Sequence, residues 1–373
     1  MTNVINRWYR KYFSDPEGVI LAVLLTLGFA VVIFMGDMLA PVLASMVLAY
    51  LLEGLVAPLE ARGLKRLSAV LLVFVPFLAF LLFLLLGLLP LLTAQVKQLV
   101  QELPNMIAKG QQLLMQLPER YPSFISEAQV RDFISSMSSA VGAMGHNVLS
   151  LSLASISGLF TFLVYLILVP VLIFFFLKDK RLILDWLNHY LPRERRLAKQ
   201  VWEEMDLQIG NYVRGKFMEI LIVGVVSYVV FMIMGLNYAM LLGALVGLSV
   251  IVPYLGAIAV TFPVALIAYF QWGWGNDFIY VMLAYAIIQA VDGNLLVPWL
   301  FSEAVNLHPI AIITAVLFFG GIWGFWGVFF AIPLATLVKA VMNAWPRYDV
   351  TEEAPAATHD SPRVAAGGVR REA

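Results

Sequence analysis

The chain has 373 residues, of which 61% are hydrophobic and 13% are charged, against about 45 to 50% and about 25% in soluble globular domains. This composition excludes an ordinary soluble domain and indicates an integral membrane protein. Lysine plus arginine and aspartate plus glutamate both number 24, so net charge does not point to a nucleic acid partner. The absence of cysteine excludes disulfides, thiolate metal sites and cysteine nucleophiles.

Apolar runs divide the first part of the chain into membrane helices. A spanning helix takes about 20 apolar residues, and we predict membrane helices 1 to 3 within residues 1–92. Gly18–Gly36 is the first span, Met38–Leu52 a short return helix and Leu67–Leu92 the third span. No small-residue cleavage site follows the first apolar run, so we interpret it as an uncleaved helix and not as a signal peptide.

Two segments between the membrane helices are predicted to be amphipathic. In residues 93–150 apolar side chains recur at helical spacing, which predicts an extracytoplasmic helical insert. Membrane helix 4 occupies residues 151–177, and a cytoplasmic amphipathic segment occupies residues 178–216. In that segment one apolar stripe recurs every four residues, at Leu197, Val201, Met205, Ile209 and Val213. It predicts a helix that lies on the membrane face or packs on the bundle, or alternatively a regulatory arm.

Residues 217–345 are predicted to form a C-terminal membrane core with broken helices. The apolar run 307–344 is too long for one helix, so we expect a hairpin that either crosses fully or is re-entrant. The polar tail 346–373 is predicted to be disordered and cytoplasmic. The sequence as a whole indicates an all-α polytopic membrane protein with about eight transmembrane helices, a broken or re-entrant C-terminal hairpin, and amphipathic helices outside the bilayer.

The lysines and arginines predict the orientation of the chain. Cytoplasmic loops carry an excess of these residues, and placing both termini in the cytoplasm leaves few of them on the opposite face. The exceptions are Lys97, Lys109, Arg120 and Arg131.

Asp292 is the sharpest candidate for a functional residue, because it interrupts the apolar run Phe278–Phe301. A charge in the middle of a membrane helix raises the free energy of insertion by about 2.5 to 3.5 kcal/mol. We therefore predict a transport or binding role for Asp292 and its neighbours Gln289 and Asn294, since a buried carboxylate suits reversible protonation or cation binding. Alternatively, Asp292 caps a helix break through backbone amides.

Proline and glycine interrupt the apolar segments of the C-terminal half repeatedly. Broken membrane helices expose free amide and carbonyl groups that can hold ions, so we interpret these positions as helix breaks and gates. They are Pro253, Gly256, Gly293, Pro298, Pro309, Gly320, Gly321, Gly324, Gly327 and Pro333. The alternative for the glycines is close helix packing, as the pairs Gly243/Gly247 and Gly320/Gly324 indicate.

The other polar residues and motifs indicate no catalytic or metal-binding site. Asp37, Glu53, Glu219 and Glu303 lie near predicted span ends, which is typical of interfacial residues. The sequence lacks Gly-x-Ser-x-Gly, His-Glu-x-x-His and phosphate-loop motifs, and its four histidines are not paired at metal spacing. We therefore predict no enzyme activity, no catalytic residue, no metal site and no cofactor.

Several motifs together resemble a known family. They are Pro253-Tyr-Leu-Gly256, Gln289-x-x-Asp292-x-Asn294-x-x-x-Pro298, Leu307-His-Pro309, and Gly320-Gly with Gly324, Gly327 and Ala331-Ile-Pro333. Their order and spacing resemble the autoinducer-2 exporter family of permeases, in particular its PerM-type branch. The resemblance implies a multi-pass protein of the bacterial inner (plasma) membrane with cytoplasmic termini, which forms a homo-oligomer. Members have been linked to autoinducer-2 export and to exchange of sodium or lithium for protons.

These observations support one functional hypothesis and leave a rival open. The first is a secondary transporter or permease that exports a small solute or, as an antiporter, exchanges a monovalent cation for protons. Asp292 would be its coupling or binding group, and its partners would be the lipid bilayer and the transported species, with no nucleic acid. The rival is a non-transporting membrane scaffold that binds cell-envelope proteins through the insert 93–150.

Overall fold

A computed structural model describes residues 16–115, 132, 135, 156–192, 195–301 and 307–345. The helices are α1 (Pro16–Ala61), α2 (Arg66–Phe83), α3 (Leu89–Met115), α4 (Ile156–Lys178), α5 (Lys180–Tyr190), α6 (Arg196–Ile233), α7 (Ala239–Ser249), α8 (Leu255–Trp272), α9 (Asn276–Val291), α10 (Val297–Phe301), α11 (Pro309–Phe329) and α12 (Ala331–Ala344). Five-residue π-helical turns join α2 to α3 at Leu84–Leu88 and α9 to α10 at Asp292–Leu296.

The all-α polytopic architecture is confirmed. Within the described ranges there is no strand, and seven helices are long and apolar enough to cross a membrane, or eight if the bent pair α4 and α5 forms one span. The predicted tail 346–373 and most of the insert 93–150 lie outside the described residues.

The first helical run contains two arms of membrane length, Glu17–Gly36 and Met38–Ala61. The first arm contacts the first turn of α6, where a backbone N–H donates to Glu17 Oε2 at 3.4 Å. The second arm contacts α6 further along, where the Tyr50 hydroxyl donates to the Asp206 carboxylate at 2.8 Å. In a straight helix residues 17 and 50 would be about 50 Å apart, whereas their contact points on α6 are about 14 Å apart. The chain therefore bends sharply between the arms, and the second arm is longer than the predicted return helix.

The third span continues beyond its expected end. The helical run that starts at Arg66 passes residue 92 and ends at Met115, so no interruption marks the start of the insert. Gln95 Oε1 accepts a hydrogen bond from the backbone N–H of Leu241 at 2.9 Å, which anchors α3 to the first turn of α7. The division of the chain at residue 92 stays a prediction.

Helix α5 differs from the helices around it. It bends away from α4 by 78°, and its apolar side chains, including Leu182, Trp186 and Tyr190, are exposed. Apolar residues cover one side of α5, while Arg181 and Asp185 are on the other. This geometry is typical of a helix that lies in the membrane interface.

Helix α6 contains both the cytoplasmic stripe and the fifth span. Val201 and Met205 of the stripe are buried with Leu21 of α1 and Ala340 of α12, so this part of the helix packs on the bundle, as one alternative predicted. Because α6 runs from Arg196 to Ile233 without interruption, the boundary expected at residue 216 falls inside a helix. That division of the chain stays a prediction.

Helices α7 and α8 form a hairpin that packs against α6. Its base is tied by Gln271, which accepts from the backbone N–H of Asn237 and donates to the Gly235 carbonyl, both at 2.8 Å. A Cβ on Gly243 or Gly247 would lie 2.7 Å from atoms of α6, so these glycines serve close packing. At 1.5 Å per residue α7 is about 16 Å long, which is too short to cross a hydrocarbon core of about 30 Å.

Helices α11 and α12 form a second hairpin. Gly324 has φ 57° and ψ −131°, a conformation that breaks α11. A Cβ on Gly327 would lie 1.9 Å from the Phe319 carbonyl oxygen, so the chain folds back directly after the break. The piece from Pro309 to Trp323 and helix α12 are each only about 22 Å long. This length favours the re-entrant form of the predicted hairpin.

Candidate functional site

The segment that contains Asp292 remains helical from Asn276 to Phe301. The break expected between Gly293 and Pro298 is instead a π-helical turn, in which the Val297 N–H bonds to the Asp292 carbonyl. A proline cannot donate to the carbonyl of the residue four positions earlier, and the wider turn accommodates Pro298 without ending the helix.

The side chains of the two predicted partners of Asp292 are placed differently. Asn294 is exposed, and its Nδ2 donates to the Ala290 carbonyl at 2.8 Å, so it satisfies its own helix backbone. Gln289 lies one turn before Asp292, and its Nε2 is buried without a hydrogen-bond partner among the described residues. The Gln289 amide nitrogen is therefore buried, as Asp292 is, whereas Asn294 is not.

Asp292 itself is buried and unpaired. It is 9% exposed, and its Oδ1 makes no hydrogen bond within the described part of the chain. Its φ of −57° and ψ of −58° are helical, and its side chain caps no backbone amide there. The alternative of a capping residue is therefore wrong.

Two further charged residues accompany Asp292. Lys216 and Glu219 of α6 are 4% and 2% exposed, and Lys216 Nζ lies 2.6 Å from Glu219 Oε2. Lys216 also donates to the Val250 carbonyl at 2.9 Å and lies 5.2 Å from the centre of the Phe301 ring. It thus connects α6 to the tip of the α7–α8 hairpin and to α10.

We refer to Lys216, Glu219 and Asp292 as the interior cluster, because all three are buried and α6 packs against the π-helical turn that begins at Asp292. In the sequence, Lys216 ends a predicted cytoplasmic segment and Glu219 lies near a predicted span end, as is typical of interfacial residues, whereas the structure buries both side chains. The apolar stripe of α6 already indicated that these two residues face the bundle. Continued beyond Val213 at helical spacing, it reaches Lys216 and then Glu219, which predicts that both face the bundle.

Polar groups continue from Asp292 towards α8. Tyr285 lies one turn before Gln289, and its hydroxyl donates to the Ala257 carbonyl at 2.8 Å. The Thr261 hydroxyl lies 3.3 Å from the same Tyr285 oxygen. Residues three or four apart share a helix face, so Tyr285 and Gln289 of α9 and Asp292 at the start of the π-helical turn form one polar line.

The predicted break at Pro253 and Gly256 is present. Tyr254 has φ 62°, and a Cβ on Gly256 would lie 1.7 Å from the Ser249 carbonyl oxygen. Because α7 ends here, the Val250 carbonyl has no helical donor and accepts from Lys216 instead. This break therefore supplies a backbone ligand to the interior cluster.

The remaining predicted breaks are of two kinds. Pro309 and Pro333 lie in the first turns of α11 and α12, where a proline N–H is not needed. They begin helices and do not interrupt them. Gly324 and Gly327 form the reversal described above, with Gly320 facing Val328 across it. A Cβ on Gly321 would meet no atom within 4 Å.

A cavity of about 710 Å³ lies between α6 and α9 and extends along α10. Its walls include Val226, Ile287 and Leu295, and Asp292 is the only charged residue among those that line it. Asp292 is therefore next to a space large enough for a small molecule.

Comparison with known proteins identifies the family. A model of the AI-2E family transporters matches residues 20–347. The chain belongs to the AI-2E transporter family. It is 48% identical to the "Putative permease PerM" of Escherichia coli strain K12 over 95% of this chain and 100% of that protein. It is 26% identical to the "Putative transport protein YueF" of Bacillus subtilis strain 168 over 83% and 84% of the two chains.

Membership confirms the resemblance seen in the motifs. The chain is a multi-span membrane protein of a bacterial transporter family, whose members are described as transporters and permeases and not as enzymes. The inner membrane and the bilayer as its surroundings follow from this membership.

Proposed function

We propose that this protein is a secondary transporter in which Asp292 binds and releases the coupling proton or monovalent cation. The observation that carries the proposal is the buried Asp292 carboxylate, whose Oδ1 has no partner in the described part of the chain. Lys216 is engaged by Glu219 at 2.6 Å, so the interior cluster has one carboxylate more than it has cations.

An isolated carboxylate inside a protein is unfavourable unless it is protonated or paired with a cation. The cluster can therefore alternate between a state that holds a proton or cation at Asp292 and a state that has released it. For this exchange to drive transport, the two states must differ in conformation. The break at Pro253 and Gly256 contacts Lys216 through Val250, so it is the element that we expect to respond to the charge of the cluster.

Purified protein in liposomes tests the proposal directly. We expect an imposed sodium, lithium or pH gradient to drive a flux that Asp292→Asn abolishes, because asparagine keeps the shape but cannot release a proton. Asp277→Asn is the matched control, since Asp277 is an exposed acid in the first turn of the same helix, and it should transport as the native protein does. Native flux in Asp292→Asn would remove Asp292 from the mechanism.

Flux measurements in the same vesicles distinguish a cation/proton antiporter from an exporter of an organic signal. In a cation/proton antiporter, an imposed sodium gradient moves protons in the absence of any organic solute. In an exporter of an organic signal, the solute accumulates without any requirement for sodium. The interior cluster contains one more acid than it has cations, and this excess favours cation or proton coupling.

The scaffold alternative and the homo-oligomer stay predictions. A scaffold would lose its envelope partners when residues 116–150 of the insert are deleted and would keep its function in Asp292→Asn. A transporter would show the opposite dependence on Asp292.

A further inference from the structure

Helix α5 has no protein surface to pack on within the described part of the chain. All ten residues from Arg181 to Tyr190 are exposed. Six of them are large apolar or aromatic residues, namely Leu182, Ile183, Leu184, Trp186, Leu187 and Tyr190. Exposing this much apolar surface to water is unfavourable, so we expect a surface outside the described residues to cover α5.

The length of α4 places the start of α5 at a membrane surface. Helix α4 has 23 residues and is about 34 Å long, which is enough to cross a hydrocarbon core of about 30 Å. The chain bends by 78° directly after it, so α5 lies close to the membrane plane when α4 crosses the membrane upright. A helix in this position buries its apolar side at the boundary between headgroups and acyl chains. Trp186 and Tyr190 belong to the residue types that are enriched at this depth.

Basic side chains flank α5 at both of its ends. Arg62 and Lys65 lie in the exposed turn between α1 and α2. This turn is attached to the start of α5, because Arg66 donates to a backbone carbonyl at the end of α4 at 3.0 Å. At the other end of α5, Arg195 donates to the Asn188 side chain at 2.8 Å. Arg62, Lys65 and Arg195 form no ion pair with a described residue.

Positive charge is in excess around α5. The described residues within 53–66 and 178–195 include seven cations and four acids, so three positive charges are left over. Arg66, Lys180 and Arg181 already pair with Glu53 and Glu60 at 2.6 to 3.1 Å. The excess therefore resides on cations that have no acidic partner among these residues. Basic residues in this position, next to the end of a membrane helix, are attracted to anionic lipids.

We propose that α5 and the unpaired cations beside it bind the headgroups of anionic phospholipids. The apolar side of α5 enters the boundary of the acyl chains, while Arg62, Lys65 and Arg195 contact the lipid phosphates. A second copy of the chain would bring the same excess of positive charge, and two such surfaces would repel each other. Charge therefore favours anionic lipid over self-association through α5. The inference is independent of the role of Asp292.

A single cysteine on α5 can report which lipids surround it, because the chain contains no cysteine of its own. A fluorophore that bromine quenches is attached to Leu187→Cys in the full-length protein, which is reconstituted in phosphatidylcholine bilayers with acyl-brominated lipid. We expect brominated phosphatidylcholine to quench this fluorophore. Asp185→Cys is the matched control, since Asp185 is on the polar side of the same helix, and its fluorophore should be quenched much less.

Brominated phosphatidylglycerol then tests the selectivity for charge. Half-maximal quenching at Leu187→Cys should need an at least about fivefold lower mole fraction of brominated phosphatidylglycerol than of brominated phosphatidylcholine, which is the effect of about one basic residue at an anionic surface. Adding Arg62→Gln/Lys65→Gln should remove most of this preference. Adding Lys97→Gln/Lys109→Gln instead removes two exposed lysines of α3 and should leave the preference unchanged.

Two results would overturn the proposal. Equal quenching by the two brominated lipids, or a preference that survives Arg62→Gln/Lys65→Gln, would show that these cations do not select anionic headgroups. A fluorophore at Leu187→Cys that neither lipid quenches would show that protein covers α5, either a second copy or another segment of the chain.

Discussion

Two groups of charges in this protein are built in opposite ways. The first, which we call the end cluster, consists of Glu53, Glu60, Arg66, Lys180 and Arg181. Arg66 lies 2.7 Å from Glu53 and 2.9 Å from Glu60, while Lys180 and Arg181 contact the same two carboxylates at 3.1 and 2.6 Å. In the interior cluster, by contrast, one lysine accompanies two acids, and Asp292 has no ion-pair partner in the described part of the chain.

The difference in pairing follows the position of each cluster. The end cluster lies where α2 begins and α4 ends, and the Arg66 guanidinium also donates to the Leu177 carbonyl. It thereby satisfies a free carbonyl of a helix C-terminus, which is a structural role. The interior cluster lies within α6 and the α9–α10 run, where an incomplete set of charges is unfavourable unless it binds something. We infer that the first cluster holds helices together and the second exchanges ligands.

Removing the lysine of the interior cluster should have the largest effect on stability. Lys216→Met leaves two buried acids without a cation and frees the Val250 carbonyl, so we expect the free energy of unfolding to fall by about 3 to 5 kcal/mol. Thermal unfolding in detergent measures the loss. Lys199→Met is the control, because this exposed lysine pairs with Glu203 one turn away and contributes about 0.5 kcal/mol or less.

A double variant determines whether charge causes the loss. In Lys216→Met/Glu219→Gln the pair is removed together, and stability should recover in part because one fewer buried charge is left unpaired. If the double variant is as unstable as the sum of the single variants, the contacts of Lys216 with Val250 and Phe301 are responsible, and the comparison of the clusters loses its electrostatic basis.

The sequence was sufficient to predict the fold class and the burial of Asp292, because both depend on the contrast between charged and apolar residues along the chain. Lys216 and Glu219 were missed because they follow a basic segment, and helix α6 continues through the boundary that this charge density suggested. A proline in the sequence indicates that a helix is disturbed, but it does not determine whether the helix breaks or widens into a π-helical turn. Pro253 precedes a true break, whereas Pro298 lies beside a π-helical turn. The packing of neighbouring helices decides between a break and a π-helical turn. A local sequence pattern does not contain this information.

The tip of the α7–α8 hairpin should be the next most sensitive element, because it presents Val250 to the interior cluster. In Gly256→Ala the new Cβ would meet the Ser249 carbonyl oxygen, so the hairpin must shift, and we expect a loss of about 1 to 3 kcal/mol and slower ion flux. Gly293→Ala is the matched control, since a Cβ there meets no atom within 4 Å. It should be neutral or stabilising by up to about 1 kcal/mol. Equal losses in both variants would contradict a special role for the hairpin tip.

The end cluster should be the most tolerant of substitution. In Arg66→Gln, Glu53 retains Lys180 and Glu60 retains Arg181, so no carboxylate is left without a cation. We expect a loss of about 1 to 2 kcal/mol, mainly from the hydrogen bonds to Glu53 and Leu177. Ion flux per folded molecule should be unchanged, because every carboxylate of the end cluster keeps a cationic partner in this variant. The measurement is flux normalised to folded protein in vesicles, compared with thermal unfolding of the same preparation. If Arg66→Gln lowered the normalised flux as Asp292→Asn does, the end cluster would also take part in transport, and complete pairing would no longer distinguish a structural cluster from a functional one.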